Sequence, residues 1–156
     1  TVYGPWGRPD MALFLFTKSI IEGKPINVFN HGKMIRDFTF IDDVIESIYR
    51  LIMKSANFNK KQKNSKLRPS ESWAPFRIFN VGNSNPVSLI DYIEEIEKCL
   101  DKKAIKNYMD MQPGDVSKTY SDTKLLENFV NFKPTTKIEE GVKKFVDWYI
   151  NYYQQN

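Results

Sequence analysis

An α/β fold is predicted for this chain of 156 residues by three observations: β-prone segments alternate with helical repeats, turn residues separate them, and apolar residues make up 41% of the sequence. Thr1-Val2-Tyr3 is β-prone and runs into the turn-forming Gly4-Pro5, so the opening reads as a strand cut part-way along. Gly7, Pro9 and Asp10 punctuate an irregular stretch. A helix is expected over Met11 to Ile21, where Leu13, Phe16 and Ile20 recur at helical spacing and Gly23-Lys24-Pro25 ends the run. Ile26 to Phe29 alternates as a short strand, Asn30 to Lys33 turns, and Arg36 to Phe40 is extended again.

The clearest periodicity is Ile41, Val44, Ile45, Ile48, Leu51 and Ile52, one face of an amphipathic helix. A polar stretch follows, and beyond it Phe76 to Val81 reads as a buried strand that breaks at Gly82-Asn83. Ser88 and Asp91 resemble a capping box for a helix bearing Leu89, Ile93, Ile96 and Leu100. Ala104 to Met109 reads as a further strand, Pro113-Gly114 as a turn, and a short helix is expected after Asp122. Thr136 and Glu139 form a second capping box, for a last helix striped by Ile138, Val142, Phe145, Tyr149 and Tyr152. The chain is long enough for one domain with a modest core.

Composition limits the function. The longest apolar stretch, Met11 to Phe16, is far short of the ~20 residues of a membrane-spanning helix, and no basic segment precedes it as in a signal peptide. A cytoplasmic protein with no membrane partner is expected. The single cysteine, Cys99, rules out an internal disulfide and a thiolate cluster and is expected to fill the core of a helix. The single histidine, His31, has no second histidine or cysteine with which to bind a transition metal and is expected in a loop. No metal site is predicted.

The net charge of +4 admits nucleic acid, an anionic surface or a phosphorylated ligand. Much of it lies between Lys54 and Arg68, where Lys60, Lys61, Lys63, Lys66 and Arg68 alternate with Asn, Gln and Ser, and Phe58 is the one aromatic residue. A basic insertion at about 55–74 within one domain, 1–156, describes this better than a nucleic-acid groove, which needs stacking rings. No nucleic-acid partner is expected. No glycine-rich dinucleotide turn follows a strand, and no Tyr-x-x-x-Lys pair is assigned as general base and orienting lysine. Tyr120 and Lys124 come nearest and are read as one residue beyond that pattern.

Four segments carry the reading further. Thr1-Val2-Tyr3-Gly4-Pro5-Trp6-Gly7-Arg8-Pro9-Asp10-Met11, Arg36-Asp37-Phe38-Thr39-Phe40-Ile41-Asp42-Asp43, Phe79-Asn80-Val81-Gly82-Asn83, and Gln112-Pro113-Gly114-Asp115 with Tyr120-x-Asp122 stand in this order along the chain. Together they resemble the NAD-dependent sugar-nucleotide epimerases of the extended short-chain dehydrogenase/reductase type, and most of all their UDP-glucuronate 4-epimerase branch. The resemblance implies the C-terminal substrate-binding part of that fold, a small sheet with helices, with the Rossmann cofactor core missing.

By the same resemblance, the substrate-binding residues are Thr1, Arg8, Asn27, Phe29, Arg36, Gln112 and Asp115. Arg36 matches the diphosphate-binding arginine, and a forked guanidinium suits two phosphates. It stands just before a helix whose amino terminus adds a favourable dipole. An ion pair with Asp37 or Asp42 is the alternative for it. The strand Asn27-Val28-Phe29 matches the one that holds uracil, and from residue types alone it is equally a structural strand. Asp115 matches the acceptor for the ribose diol, whereas Gln112 departs from the arginine of many relatives and shifts diphosphate binding towards Arg36. Arg8 and Thr1 match residues near the sugar carboxylate, the alternative for Arg8 being a pair with Asp10. Holding that carboxylate out of line with a C4 ketone would favour epimerisation over loss of carbon dioxide.

The implied activity of the parent enzyme interconverts UDP-glucuronate and UDP-galacturonate by hydride removal at C4, rotation of the keto-sugar and return of the hydride. NAD and a tyrosine base would lie in the missing N-terminal part, so no catalytic or cofactor-binding residue is predicted here and the fragment alone is expected to be inactive. The helices would expect the missing part to cover some of their apolar faces. The parent would be a homodimer joined mainly through helices of that part. A UDP-glucuronate decarboxylase, a neutral UDP-sugar 4-epimerase and a non-catalytic sugar-nucleotide-binding module remain as alternatives.

Overall fold

A computed structural model describes residues 1–54, 56–57, 67 and 69–153. Most of the expected basic insertion, residues 55, 58–66 and 68, therefore lies outside the described residues. Strand β1 (Val2–Tyr3) leads through an irregular loop to helix α1 (Ala12–Ile21). Leu13, Phe14, Phe16, Thr17 and Ile20 of α1 are buried. Its end follows from Gly23, at φ +67°. The N–H of Gly23 reaches Ile20 O and that of Lys24 reaches Ser19 O at 2.8 Å, which together make a Schellman stop.

Strand β2 (Ile26–Val28) passes into a 3-10 turn, Phe29–Gly32, and then come β3 (Ile35–Arg36) and β4 (Thr39–Phe40). Helix α2 (Ile41–Met53) follows, and further along the chain come β5 (Val87–Ser88), α3 (Leu89–Leu100), β6 (Lys106–Tyr108), α4 (Lys124–Val130) and α5 (Ile138–Tyr153). The strands form three separate pairs: β1 with β4 and β2 with β6, both parallel, and β3 with β5, antiparallel. The fold is α/β as expected, with three short ladders in place of one small sheet.

Two expectations are corrected. Phe76 to Val81 is not a strand: apart from a bridge of Arg77 with Glu71 it pairs with nothing in the described sheets. Phe76 and Ile78 are about half exposed, so the apolar run lacks the covering layer that a buried strand requires. The last helix starts at Ile138, later than a cap at Thr136 implies, and the Thr136 N–H donates instead to Asp43 Oδ2 at 3.0 Å. The cap at Ser88 holds, its Oγ accepting the Asp91 N–H at 3.0 Å.

The core lies where α3 packs on α5 and α1 packs on α3. Phe38 stacks on Tyr92 with centroids 4.1 Å apart, and Tyr3 meets both edge-on. Val142, Phe145 and Val146 of α5 and Ile93 and Ile96 of α3 close it. Cys99 packs against this core as expected, and burial raises its thiol pKa. Helix α2 points its apolar face outward: Ile45, Ile48 and Ile52 are exposed, whereas Asp43 and Ser47 are buried. The inward polar groups are satisfied, Ser47 Oγ donating to Asp43 O at 2.7 Å.

Candidate functional site

Arg36 and Asp115, 79 residues apart in the chain, meet at 2.8 Å between Nη2 and Oδ1. Extended backbone alternates its side chains, so Arg36 and its neighbour Asp37 take different partners. Asp37 accepts N–H groups from the loops at Ser84 and Ser121. Of the carboxylates weighed for Arg36, neither Asp37 nor Asp42 is the one it grips. Its Nη1 also donates to Ile35 O at 3.1 Å. With 14% of its side chain exposed, Arg36 offers a fixed fork at the edge of the core, where its charge is only partly screened. The first turn of α2 carries its own acidic residues, Asp42 and Asp43, against the helix dipole.

Asp115 is presented by a turn. Its N–H donates to Gln112 O at 3.2 Å, and Pro113 followed by Gly114 at φ +83° has the order and sign of a type II turn. A second hydrogen bond, from Val116 N–H at 2.8 Å, fixes the carboxylate. Gln112 and Phe29 line a shared surface concavity of about 540 Å³ together with Tyr108, Met109 and Pro113. The backbone that shapes it runs from β2 to β6: Met109 N–H donates to Val28 O and His31 N–H to Met109 O, both at 3.0 Å. His31 lies in the 3-10 turn, a loop position as expected, and bonds Asp110 at 3.0 Å.

Asn27 projects from β2 to solvent, and its Oδ1 accepts from Asn107 Nδ2 at 3.0 Å. Phe29 falls just beyond the strand, in the 3-10 turn. Thr1 and Arg8 line a second, smaller recess of about 50 Å³ floored by Tyr3, Phe38 and Tyr92. The Arg8 guanidinium forks onto Asp10, at 3.0 Å and 2.5 Å, and both side chains are largely exposed. The structure thus gathers Arg36, Asp115, Gln112 and Phe29 on one side and Thr1 with Arg8 on another. The two sides are joined where the Thr1 backbone nitrogen donates to Asp37 O at 3.2 Å.

Sequence reasoning passed over Asp37 as a site residue, although it stands in the Arg-Asp-aromatic segment, and over Tyr108 and Met109. Tyr120 and Lys124 do have the four-residue spacing of a Tyr-x-x-x-Lys pair. Helix α4 begins only at Lys124, however, so no helical turn carries both to one face, and Tyr120 is 62% exposed. Tyr3 and Tyr92 are no better as bases, because burial pushes both phenols well above their ordinary pKa. Gly4, just after β1, serves packing against α2: a Cβ there would stand 2.5 Å from Ile41 Cγ2. No group of His, Cys, Asp and Glu among the described residues is arranged to hold a metal ion, and none of their helices is long and apolar enough to cross a membrane.

Residues 1–68 match the NAD dependent epimerase/dehydratase family. Over 155 residues the chain is 53% identical to protein CapI of Staphylococcus aureus, covering 99% of this chain and 46% of that protein. It is 46% identical over 156 residues to a probable UDP-glucuronate 4-epimerase of Rhizobium meliloti (strain 1021), again covering 99% of this chain and 46% of that protein. Its structure aligns with the UDP-glucuronic acid 4-epimerase of Bacillus cereus, solved in complex with UDP-glucuronic acid and NAD, at a TM-score of 0.79 and 29% identity over 98% of this chain and 44% of that one. The chain spans about half the length of the curated relatives it matches. The order of its elements, the segment that carries Arg36 and these likenesses agree: the chain belongs to the NAD-dependent epimerase/dehydratase family.

Proposed function

We propose that this chain is the C-terminal, sugar-nucleotide-binding portion of an NAD-dependent epimerase that interconverts UDP-glucuronate and UDP-galacturonate. The observation that carries the reading is the meeting of Arg36 with Asp115 beside the concavity of Phe29 and Gln112. A largely buried cation next to a fixed acceptor suits a nucleoside diphosphate, the guanidinium taking phosphate oxygens and the carboxylate a ribose diol. Binding a diphosphate at Arg36 would let Asp115 turn to that diol.

Phe29 and the strand of Asn27 supply an apolar face and backbone groups for a base, and Gln112 adds a neutral donor at the turn. Thr1 and Arg8 are assigned to the sugar carboxylate. The pair that Arg8 makes with Asp10 is exposed and therefore weak, so a substrate carboxylate can replace Asp10 at little cost. Residues 1–156 form one substrate-binding domain that carries a basic insertion at about 55–74. The outward apolar face of α2 would be covered by the part of the protein that the longer relatives possess.

NAD and the tyrosine base are assigned to the part of the protein that the longer relatives possess. What the chain contributes is binding energy from parts of the substrate remote from C4, which positions that carbon for reaction elsewhere. On this reading the full-length protein is cytoplasmic and a homodimer, and this chain alone does not turn over substrate. Calorimetry with UDP, UDP-glucose and UDP-glucuronate tests the assignments. Arg36→Ala should weaken all three ligands, and Arg8→Ala UDP-glucuronate alone. Unchanged UDP binding in Arg36→Ala would sink the diphosphate site. A pentose and carbon dioxide as products of the full-length protein would make it a decarboxylase, and no turnover a binding module.

A further inference from the structure

We propose that Asp37 is a positioning residue for nucleotide binding: its buried carboxylate ties two loops into the shape that brings Asp115 to Arg36. The proposal rests on the nucleotide-site reading above. Asp37 is 4% exposed, and its carboxylate makes no ion pair among the described residues. Instead Oδ2 accepts the N–H groups of Ser84 at 3.1 Å and Ser121 at 2.9 Å, and Oδ1 accepts the N–H of Asn85 at 3.4 Å. The loops are also bound to each other, Ser84 Oγ donating to Ser121 O at 2.8 Å. Asp37, Ser84 and Ser121 thus close a ring of contacts across 84 residues of sequence.

The approach is as near as the residue types allow. A Cβ on Gly82 would stand 2.4 Å from Ser121 Cβ and 3.2 Å from Asp37 Oδ2. Ser84 holds φ +54°, an uncommon conformation for a residue with a side chain, and there its N–H reaches the carboxylate. The segment leading back to Asp115 is then laid along β3. Ile35 N–H donates to Ser117 O at 2.9 Å, Thr119 N–H to Ile35 O at 3.1 Å, and Asp37 N–H to Thr119 Oγ1 at 3.0 Å. With residues 117–121 fixed in this way, the turn at Gln112–Asp115 sits within reach of Arg36.

A carboxylate suits this place better than an amide because it only accepts. In Asp37→Asn one of the two carboxylate oxygens becomes an NH₂, which faces an N–H of Ser84, Asn85 or Ser121 and forms no bond. The fold keeps its apolar core, since no core residue changes, while the loop that carries Asp115 is loosened.

The test measures UDP affinity by calorimetry in the unaltered chain and in Asp37→Asn, Thr119→Val and Asp115→Ala, with Asp43→Asn as a control. Asp43 is a buried carboxylate that holds the N–H of Thr136 and touches no part of the nucleotide site, so its loss reports stability alone. Asp37→Asn should weaken UDP about tenfold and Thr119→Val about threefold, with Asp43→Asn within about twofold, at a temperature where circular dichroism shows all of them folded. Combined with Asp115→Ala, Asp37→Asn should weaken UDP by less than about threefold, because a residue that acts through another has nothing left to position. Full binding by Asp37→Asn, or an undiminished effect in the Asp115→Ala background, overturns the proposal. If Asp37→Asn does not fold, Thr119→Val decides by the same criteria. Hydrogen exchange of residues 112–116 without ligand gives an independent reading. Exchange hastened by Asp37→Asn and not by Asp43→Asn supports the proposal, and equal rates overturn it. Failure of the unaltered chain to bind UDP counts against the nucleotide reading and leaves the exchange comparison to judge Asp37.

Discussion

The hydroxyl of Tyr3 occupies the space that a side chain on Gly141 would need, for a Cβ there would stand 2.1 Å from the oxygen. Gly141 lies in the first turn of α5, and the contact joins that helix to the strand on which the recess of Thr1 and Arg8 is built. The Tyr3 oxygen is buried with no hydrogen-bond partner among the described residues. Alanine favours a helix over glycine by about 1 kcal/mol, but forcing a methyl group into a packed contact costs about 1–3 kcal/mol. Gly141→Ala should therefore lower the urea midpoint despite its better helix propensity. Tyr3→Phe should be close to neutral alone and should restore only part of the loss in Gly141→Ala, because Tyr3 Cζ and Cε2 would still stand 2.7 Å and 2.8 Å from the new Cβ. A double variant no more stable than Gly141→Ala would show that the hydroxyl is not the obstacle.

Arg36 and Asp115 make a second, functional prediction. A lysine has the charge of arginine but not its planar fork, so Arg36→Lys should weaken UDP about tenfold, nearly as much as Arg36→Ala, because the phosphate contacts require a fork. Asp115→Asn should weaken UDP at least as much as Asp37→Asn does and should leave inorganic pyrophosphate binding unchanged, since its proposed partner is the ribose. Titration calorimetry with UDP and pyrophosphate separates the two. Equal losses for both ligands in Asp115→Asn would refute the ribose assignment.

How far these contacts were legible in the sequence depends on their range. Helix α1 and its stop were plain, because Leu13, Phe16, Ile20 and Gly23 fall within one local pattern. The cap at Ser88 was plain for the same reason. Arg36 and Asp115 were each singled out by their motifs, but nothing local says that they touch across 79 residues. Asp37 was hidden for a related reason: its partners are backbone N–H groups, which every residue but proline possesses and no sequence pattern marks. Phe76 to Val81 misled because an apolar run states that a segment is to be covered, not by what. The periodicity of α2 was read correctly as a helix, yet the pattern alone does not say whether the apolar face turns towards this domain or away from it.

That outward face makes a third prediction. Ile45 and Ile52 are 56% and 71% exposed and lie seven residues apart on one side of α2. An apolar strip of this kind promotes association when nothing covers it. Ile45→Lys with Ile52→Lys should reduce the concentration-dependent association of this chain in sedimentation velocity. Stability should change by less than about 0.5 kcal/mol per site, since neither side chain is in the core. Unaltered association would place the sticky surface elsewhere.

Glu97 gives the last prediction, through pH. Its side chain is 2% exposed and takes ion pairs from Lys103 at 2.8 Å and from Lys106, with a third hydrogen bond from Ala104 N–H at 3.1 Å. Burial by itself would raise the carboxyl pKa, but the bonds from the two lysines and the backbone outweigh it and hold the group down at about 2, against an ordinary value of 4.5. A carboxylate whose pKa is depressed on folding stabilises the fold fully above the unfolded value, and that stabilisation drains away as pH falls from about 4.5 towards about 2. Glu97→Gln should thus cost about 1–3 kcal/mol at pH 7, where the charged bonds are intact. The deficit should shrink steadily in urea titrations taken below pH 4.5, as the unaltered protein loses what the variant never had. Because Lys106 begins β6, the partner of β2, the variant should also loosen the strand pair beneath Asn27 and Phe29. Hydrogen exchange at Val28 and Tyr108 should rise in Glu97→Gln at pH 7. A pH-independent difference between the two proteins would mean that the carboxylate is not held in its charged form by these partners.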